Sequence, residues 1–460
     1  MKVDVRSPWD GSTLETFHLG GAERVEELLK KATGVLQNCK AWLPAWERRA
    51  ILLKTAAELR ENREAFALTI VKEGGKPLID ARVEVGRAIE GIELAAAEMG
   101  RMGGQEIPMG LNPASAKRLA MTTREPIGVV VAVSAFNHPL NLIVHQVIPA
   151  VATGCPVIVK PAMKTPLSCI ALVDLLHKNG LPEAWCQVAL LSRSDAEALA
   201  TDERVAYLSF VGSARVGWWL RSMLAPGTRC GLEHGGVAPV IVGADADLDL
   251  LVPPLMKGGF YHAGQVCVSV QRVFAMKSIA AELAAKMAQA ASTLAVGDPA
   301  DGNTDVGPLI RSGEADRVHD WVKAAVKSGG QVLCGGTKVA ESTYAPTILL
   351  DPPDTAQVST EEIFGPVICI YPCETMDEAI RRANSVKMAF QASVFTHDID
   401  TAMMAARHLD ASSVMINDHT AFRVDWMPFG GRRLSGLGTG GIGYTMREMT
   451  QEKMIVIHHR

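Results

Sequence analysis

Residues 126–160 read PIGVVVAVSAFNHPLNLIVHQVIPAVATGCPVIVK, and this stretch decides the fold class of the 460-residue chain. Its β-branched runs at 127–134 and 157–159 predict buried strands, and the residues between them predict a helix over about 140–152. Strand, helix and strand at this spacing form a βαβ unit, in which the two strands are parallel. The sequence therefore predicts an α/β fold.

The uncharged part of this stretch is long enough to raise the question of a membrane span. Polar and helix-breaking residues are spread along it, and a buried α/β core accommodates them far better than a bilayer does. We therefore reject a membrane span. These residues are Asn137, His138, Pro139, Asn141, His145, Gln146, Pro149, Gly154 and Pro156.

The alternation of strands and helices continues on both sides of this unit, and it restarts beyond Gly236. Such alternation predicts doubly wound parallel sheets in two α/β domains. The predicted helices are 22–38, 46–74, 83–99, 166–178, 250–261, 278–294 and 313–329, and a further helix opens at 212–217. The other predicted strands are 205–211, 240–242, 368–371 and 454–457, with two more near Val332 and Ile348.

The composition is that of an ordinary globular protein, with 48% apolar residues, 21% charged residues and a net charge of −4. No block of like charge is longer than a few residues, so neither nucleic acid nor a membrane surface is an expected partner. The start of the chain, MKVDVRSPWDGS, shows no secretory signal. Nine unclustered cysteines predict free thiols in a reducing cytoplasm.

Four short stretches carry residues suited to catalysis. They are GFYHAGQVCVSVQR at 259–272, FNHP at 136–139, LEHGG at 232–236 and EEIFGP at 361–366. Taken alone, each has an ordinary explanation: a cysteine is usually a small buried hydrophobe, and an asparagine before a bend usually forms a turn. A lone glutamate after a strand is usually a solvated strand end, and an acidic pair usually belongs to a surface loop.

Together the four stretches resemble the aldehyde dehydrogenase superfamily, closest to its lactaldehyde and phosphonoacetaldehyde dehydrogenase branch. The resemblance extends from about Ser7 to the last residues. It implies a dinucleotide-binding domain at 1–110 and 127–235 and a catalytic domain at 236–430. A β-hairpin at 111–126 and the C-terminal strand at 445–460 would form an oligomerisation element, which implies a homodimer or a homotetramer.

The resemblance also implies catalytic roles for three residues. Cys267 would be the nucleophile, and it would form a thiohemiacetal and then a thioester with the aldehyde carbon. Asn137 and the Cys267 backbone N–H would donate hydrogen bonds to the oxyanion. Glu233 would activate the water that hydrolyses the thioester. His234, beside that glutamate, departs from the leucine that most relatives carry.

The expected cofactor is NAD or NADP, with a slight preference for NAD. By resemblance, Glu362 would hold the nicotinamide ribose, Phe364 would pack near the ring, and Lys160 would contact the adenosine ribose. Many NAD-preferring relatives carry a glutamate three residues after that lysine, where this chain has Met163. The missing carboxylate removes a repulsion against a 2′-phosphate, so the sequence also allows NADP.

The residues expected to meet the cofactor pyrophosphate lie in a strand-to-helix turn that contains Gly212, Ser213 and Gly217. The N–H groups at the start of a helix bind phosphate well. The usual Gly-x-Gly-x-x-Gly pattern is absent from every predicted strand-to-helix turn. The glycine-rich residues 436–443 follow no clear strand, so we reject them as a dinucleotide loop.

The expected substrate is a short polar or anionic aldehyde such as lactaldehyde. Arg423 is the main candidate for its recognition, because a guanidinium can bind a carboxylate or phosphonate through two hydrogen bonds. The alternative for this arginine is a salt bridge to Asp425 or to a neighbouring subunit. His138 and His145 are further candidates for substrate contact, whereas Val266 argues against a strong phosphonate site.

Several alternatives stay open at this point. Within the family, the substrate could be succinate semialdehyde or phosphonoacetaldehyde, and coenzyme A could replace water as acyl acceptor. In another class, the chain could be a cofactor-free cysteine esterase or hydrolase, which would leave the cofactor-binding residues without purpose. No metal is expected, because the alternating Asp245, Asp247 and Asp249 lack the glycine and glutamate of a calcium loop.

Overall fold

A computed structural model describes residues 2–38 and 42–459. The helices are α1 (Ala22–Gln37), α2 (Ala45–Glu61), α3 (Arg63–Gly74), α4 (Leu78–Glu98), α5 (Asn141–Thr153), α6 (Leu167–Lys178), α7 (Arg193–Thr201), α8 (Ala214–Met223), α9 (Leu248–Phe260), α10 (Lys277–Ser292), α11 (Ser312–Lys327), α12 (Gln357–Thr360), α13 (Met376–Ala383), α14 (Ile399–His408) and α15 (Ile442–Glu448). The strands are β1 (Lys2–Arg6), β2 (Thr13–His18), β3 (Glu106–Ile107), β4 (Arg118–Pro126), β5 (Val129–Val133), β6 (Val157–Lys160), β7 (Cys186–Val188), β8 (Val205–Val211), β9 (Arg229–Glu233), β10 (Pro239–Val242), β11 (Arg272–Met276), β12 (Gln331–Cys334), β13 (Thr347–Leu350), β14 (Val367–Cys373), β15 (Met388–Ala389), β16 (Gln391–Phe395), β17 (Ser413–Ile416), β18 (Arg432–Arg433), β19 (Gly436–Leu437) and β20 (Thr450–His458).

The first sheet has six strands in the order β19-β9-β8-β5-β6-β7. All neighbours in it are parallel except β19, which runs antiparallel to β9. Strands β5 and β6 are adjacent and parallel, with Val130 opposite Val157, and helix α5 connects them. The predicted βαβ unit is therefore confirmed.

Alternate residues of β5 enter two different cores, as the two-residue period of a strand requires. Val130 and Ala132 face the helices α2 to α6, whereas Val129 and Val131 face α1, α7 and α8. Burial on both faces explains why this strand is an unbroken apolar run. Every residue of α5 is buried as well. Within the described residues, no helix is long and apolar enough to cross a bilayer.

The second sheet has seven strands in the order β12-β13-β14-β11-β10-β16-β17. Its neighbours are parallel except for the pair of β12 and β13 at one edge. Its apolar core includes residues of α9, α10, α11 and α13. Two helix-flanked parallel sheets confirm the predicted α/β class.

Three smaller sheets complete the described residues, and the largest joins β20, β4 and β3. Strand β4 pairs with β20 over nine residues but with β3 over only two. Its main partner is thus the C-terminal strand and not the other arm of a hairpin. Four large apolar side chains of β20 are exposed, namely Met454, Ile455, Val456 and Ile457.

The sequence was wrong about some element boundaries and missed several elements. The single helix predicted at 46–74 is two helices, α2 and α3, which meet at Asn62. Continuous helical periodicity gave no sign of this break, because both helices face the same core. Strands β9, β11, β16 and β17 were not predicted, although Glu233 ends the first of them.

Candidate active site

A cavity of about 720 Å³ lies at the carboxyl ends of the strands of the first sheet and is closed by loops of the second. Parallel α/β sheets bind their ligands at this edge. Its volume is typical of a small-molecule or cofactor site. The cavity wall includes Cys267, Glu233, Asn137, Glu362 and Phe364, so all four motif stretches meet there.

Cys267 lies half-buried in the wall of this cavity, on the loop between α9 and β11. Its Sγ lies 3.9 Å from Glu233 Oε1, with the thiol in position to donate to the carboxylate. Burial raises the pKa of the Cys267 thiol well above its usual value, and the carboxylates of Glu233 and Glu362 add to that effect. The resting thiol is therefore protonated, with a carboxylate beside it.

The turn before Cys267 is held by the side chain of Gln265. Its Nε2 donates to the backbone oxygens of His262 and Pro308, and its Oε1 accepts from the Ile310 N–H at 3.0 Å. Gly264 has a φ of +71°, and a Cβ there would lie 2.2 Å from the Gly365 oxygen. The glycine therefore lets the cysteine loop pack against the loop of residues 361–366.

Asn137 follows β5 and is buried. Its Nδ2 donates to the backbone oxygen of Gln265 at 2.8 Å, which ties the asparagine loop to the cysteine loop. An amide group carries two N–H donors, so one is left for a further acceptor. Residues 137, 233 and 267, which the sequence analysis singled out together, all line this one cavity.

Glu233 ends β9 at the cavity, and burial raises the pKa of its carboxyl group. The neighbouring His234 is directed elsewhere, because its Nδ1 lies 2.8 Å from the Gly212 oxygen. Its ring packs against the rings of Phe210 and Trp218. The departure from leucine at position 234 thus fills space under the start of α8, and the His234 ring bonds to the turn at Gly212.

Glu362 and Phe364 reach the cavity from the loop between α12 and β14. Burial raises the pKa of Glu362 to about 8. Its Oε1 is buried and has no hydrogen-bond partner within the described ranges. Gly235 makes room for this carboxyl group, since a Cβ at that position would lie 1.9 Å from Oε1. Phe364 packs edge-on against Phe136 with the ring centroids 5.8 Å apart.

The other predicted cofactor residues extend the cavity along the first sheet. Lys160 ends β6, and burial lowers the pKa of its ammonium group. Met163, Gly212 and Ser213 also line the wall. The fifth residue, Gly217, does not line the cavity but lies buried beneath the His234 ring.

Arg423 lines the cavity close to the cysteine and the glutamate, with its guanidinium carbon 3.5 Å from the centre of the Phe429 ring. Its Nη2 lies 3.4 Å from His145 Nδ1, and its Nε is 3.7 Å from Asp425 Oδ1. In the described part of the chain, that Nε has no hydrogen-bond partner. Burial lowers the pKa of this arginine.

Asp425 is mainly engaged by two other side chains. Arg87 donates to it twice, from Nη2 at 2.6 Å and from Nε at 3.2 Å, and His145 Nε2 lies 2.7 Å from its Oδ1. Burial alone would raise the pKa of Asp425, but the hydrogen bond with His145 and the charge of Arg87 hold it below its usual range. The salt bridge between Arg423 and Asp425, which the sequence analysis left open as an alternative, is therefore present only as a long contact.

The two histidines expected to contact substrate occupy different positions. His138 lines the cavity, and its ring lies near those of Tyr261 and His262. His145 does not line this cavity but lies behind Arg423. Burial and the charge of Arg423 lower the pKa of His145 to about 4, so its imidazole is neutral at pH 7. Because a carboxylate only accepts, Nε2 carries the proton and Nδ1 accepts from the arginine.

Sequence reasoning missed Arg87, which lines the cavity from helix α4. A signal was present in the sequence, since Glu84 and Arg87 fall on the same face of α4 as the buried Ala81 and Ala88. Charged residues on the apolar face of a helix are rarely buried without a partner. The partner, Asp425, lies 338 residues away, and no local pattern connects the two.

The chain is similar to known proteins over nearly its whole length. The model of the aldehyde dehydrogenase family matches residues 1–455. The chain is 36% identical over 458 residues to the 3-sulfolactaldehyde dehydrogenase of Priestia aryabhattai, covering 99% of this chain and 95% of that protein. It is 37% identical over 460 residues to the lactaldehyde dehydrogenase of Methanocaldococcus jannaschii, covering 99% and 97%.

Among solved structures, the glyceraldehyde-3-phosphate dehydrogenase of Methanocaldococcus jannaschii complexed with NADP is similar with a TM-score of 0.94. The two sequences are 36% identical, and the match covers 99% of both chains. The chain therefore belongs to the aldehyde dehydrogenase family, which confirms the resemblance. It is an NAD(P)-dependent oxidoreductase that acts on small aldehydes.

Proposed function

We propose that the chain oxidises a short aldehyde that carries an anionic group to the carboxylic acid. The observation that carries this proposal is Arg423, whose side chain is only 11% exposed and whose Nε has no hydrogen-bond partner among the described residues. It lies at the wall that holds Cys267. An anionic substituent would supply the missing acceptors through charge-assisted hydrogen bonds. Two similar proteins are named for anionic aldehydes, 3-sulfolactaldehyde and glyceraldehyde 3-phosphate.

In the first step, Cys267 Sγ adds to the aldehyde carbon, and the carbonyl electron pair moves to the oxygen. The thiol needs a base, because burial keeps it protonated. Glu233 is that base, since its Oε1 lies 3.9 Å from the sulfur and burial makes its carboxylate more basic than a solvated one.

The oxyanion formed in this step needs donors that are already in place. Asn137 provides one, because its Nδ2 uses a single hydrogen for the Gln265 oxygen and keeps the other free for substrate. The backbone N–H of Cys267 is the second donor we propose. The bond between Asn137 and Gln265 joins the amide to the loop that carries the sulfur.

The residues around the cavity fit a nicotinamide cofactor. Glu362 Oε1 is buried without a partner in the described ranges, so a ribose hydroxyl would satisfy it. Ser213 directly precedes α8 and its side chain makes no cap hydrogen bond, which leaves the first helix N–H groups open to a pyrophosphate. Lys160 and Met163 would face the adenosine ribose, and Phe364 the nicotinamide. A bound nicotinamide supplies the acceptor for the hydride that the thiohemiacetal loses.

Hydrolysis of the resulting thioester is the last step. Glu233 first releases to solvent the proton that it took from the thiol. It then takes a proton from water as the water oxygen attacks the thioester carbon, and the Cys267 thiolate leaves and is reprotonated. The retained glutamate favours water over coenzyme A as the acyl acceptor. Glu233 therefore acts in both halves of the reaction, first as the base for the Cys267 thiol and then as the base for the water.

Substrate and cofactor are tested together with a panel of aldehydes against NAD and NADP. The panel contains lactaldehyde, glycolaldehyde, 3-sulfolactaldehyde, succinate semialdehyde and phosphonoacetaldehyde, each with and without coenzyme A. We expect the highest kcat/KM with an anionic aldehyde, no effect of coenzyme A, and use of both cofactors because Met163 leaves room for a 2′-phosphate. Equal kcat/KM for neutral and anionic aldehydes would contradict the anionic substrate class.

We also propose that β20 forms the contact between subunits of a homodimer or homotetramer. Its exposed apolar residues, such as Ile455 and Ile457, form an edge that another copy can cover. Light scattering of the purified chain measures the assembly, and an Ile455→Asp variant should shift it toward the monomer. The eight described cysteines are free thiols, which supports a reducing compartment such as the cytoplasm.

A further inference from the structure

Helix α4 carries three charged side chains on one face: Asp80, Glu84 and Arg87. Spacings of four and three residues place them one above another along the helix. Each contacts a different loop of the cavity wall. Arg87 binds Asp425, two residues from Arg423, and the other two bind the loops that carry the asparagine and the cysteine.

Glu84 contacts the loop that carries Asn137. Its Oε1 accepts from the backbone N–H groups of Leu140 at 2.9 Å and Asn141 at 3.0 Å, where α5 begins. That helix start has no side-chain cap of its own, so a carboxylate from α4 serves instead. Glu84 is also paired with Lys76, and both side chains are fully buried. The contact fixes the turn that ends three residues after the asparagine.

Asp80 contacts the loop that carries Cys267. Its Oδ2 accepts from the His262 N–H at 3.0 Å. His262 and Ala263 have φ values of +47° and +54°, and residues other than glycine rarely adopt such values. Such a conformation persists only when surrounding contacts hold it. The aspartate therefore holds a strained turn that begins five residues before the cysteine.

We propose that Asp80 and Glu84 are positioning residues that set the placement of the Asn137 amide relative to the Cys267 sulfur. The two groups lie 130 residues apart on separate loops, and contacts within either loop cannot fix their separation. One rigid helix that binds both loops can. The proposal rests on the function proposed above, because only that function requires the amide and the sulfur to act on one carbonyl group.

The test for Glu84 uses two matched double variants. Lys76→Met with Glu84→Gln keeps an acceptor for the start of α5, whereas Lys76→Met with Glu84→Met removes it. Both lose the buried ion pair and have similar volumes. The first measurement is the single-turnover rate of reduced cofactor formation. The second is the rate of Cys267 alkylation by iodoacetamide, which needs no substrate and no asparagine amide.

We expect the variant that keeps the acceptor to stay within about threefold of the unmodified protein in single turnover, and the variant that lacks it to be roughly 100-fold slower. Alkylation of Cys267 should proceed at the same rate in both. Equal single-turnover rates in the two variants would overturn the proposal for Glu84. Parallel losses of turnover and alkylation would overturn it too, because they indicate general disorder of the site.

Asp80 gives a second test, which holds even if the double variants do not fold. Asp80→Asn keeps an acceptor for the His262 N–H, and Asp80→Ala removes it. We expect Asp80→Ala to slow both alkylation and single turnover by roughly tenfold and Asp80→Asn to restore both. Equal alkylation rates in all three proteins would overturn the role of Asp80. Alkylation stays measurable even if no aldehyde is oxidised, so this outcome differs from a failure of the proposed function.

Discussion

The two ends of the cavity are built differently. At the reactive end, Cys267, Glu233 and Asn137 lie on short local motifs, and each side chain faces the cavity from a strand end or a tight turn. At the recognition end, Arg423 is held by a chain of contacts through His145, Asp425 and the distant helix α4. In the function proposed above, the chemistry thus depends on a few groups that face the cavity directly, whereas the choice of substrate depends on one side chain held by a network.

This difference predicts how strongly each end responds to substitution. Removing one of the few reactive groups should stop a step of the reaction for every aldehyde. Removing one member of the recognition network should weaken binding, and only for aldehydes that carry the anionic group. The four substitutions that follow test this contrast.

The largest effect is expected for Cys267→Ala. Without the sulfur no thiohemiacetal forms, so oxidation of every aldehyde should fall by roughly 10,000-fold or more. The measurement is steady-state formation of reduced cofactor. Cys334→Ala is the control, because that thiol is also half-buried but lies on the edge strand β12, away from the cavity. If Cys267→Ala kept more than a tenth of the activity, the role of Cys267 as the nucleophile would be wrong.

Glu233→Gln should still give one burst of reduced cofactor per active site, although more slowly, and steady turnover should fall by roughly 100- to 1,000-fold. Rapid mixing measures the burst and the turnover in one experiment. In the unmodified protein, turnover should fall as the pH drops through the raised pKa of Glu233, because the protonated carboxyl cannot accept a proton. The glutamine variant should lack this pH dependence. Steady turnover equal to that of the unmodified protein would contradict a role of Glu233 in hydrolysis.

The same contrast explains what the sequence could predict. The parallel sheets follow from local patterns, namely apolar runs such as β5. The residues of the reactive end were predicted because their short motifs together resemble a known family. Arg87 could not be predicted in this way, because its role depends on its partner Asp425, which lies 338 residues away in the sequence. His145 was predicted to contact substrate, but its position behind Arg423 is set by that same distant pair.

Arg423→Gln tests the recognition end directly. The substitution removes the cation but keeps a polar side chain, so KM for an anionic aldehyde should rise by roughly 10- to 100-fold. KM for neutral lactaldehyde should change much less, and kcat should be nearly constant. Steady-state kinetics with both aldehydes give the ratio. An equal rise in KM for both would mean that this arginine supports the fold of the site and does not select the substrate.

The smallest effect is expected for Phe429→Leu, which removes the ring under the Arg423 guanidinium. A cation over an aromatic face gains a modest attraction, so KM for the anionic aldehyde should rise by about threefold. Phe390→Leu is a matched control, because its ring packs against Phe429 at 4.7 Å in the same apolar cluster. Both variants should lose similar thermal stability, but only the first should change KM. If both raise KM equally, the cluster as a whole, and not the aromatic face, holds the arginine in place.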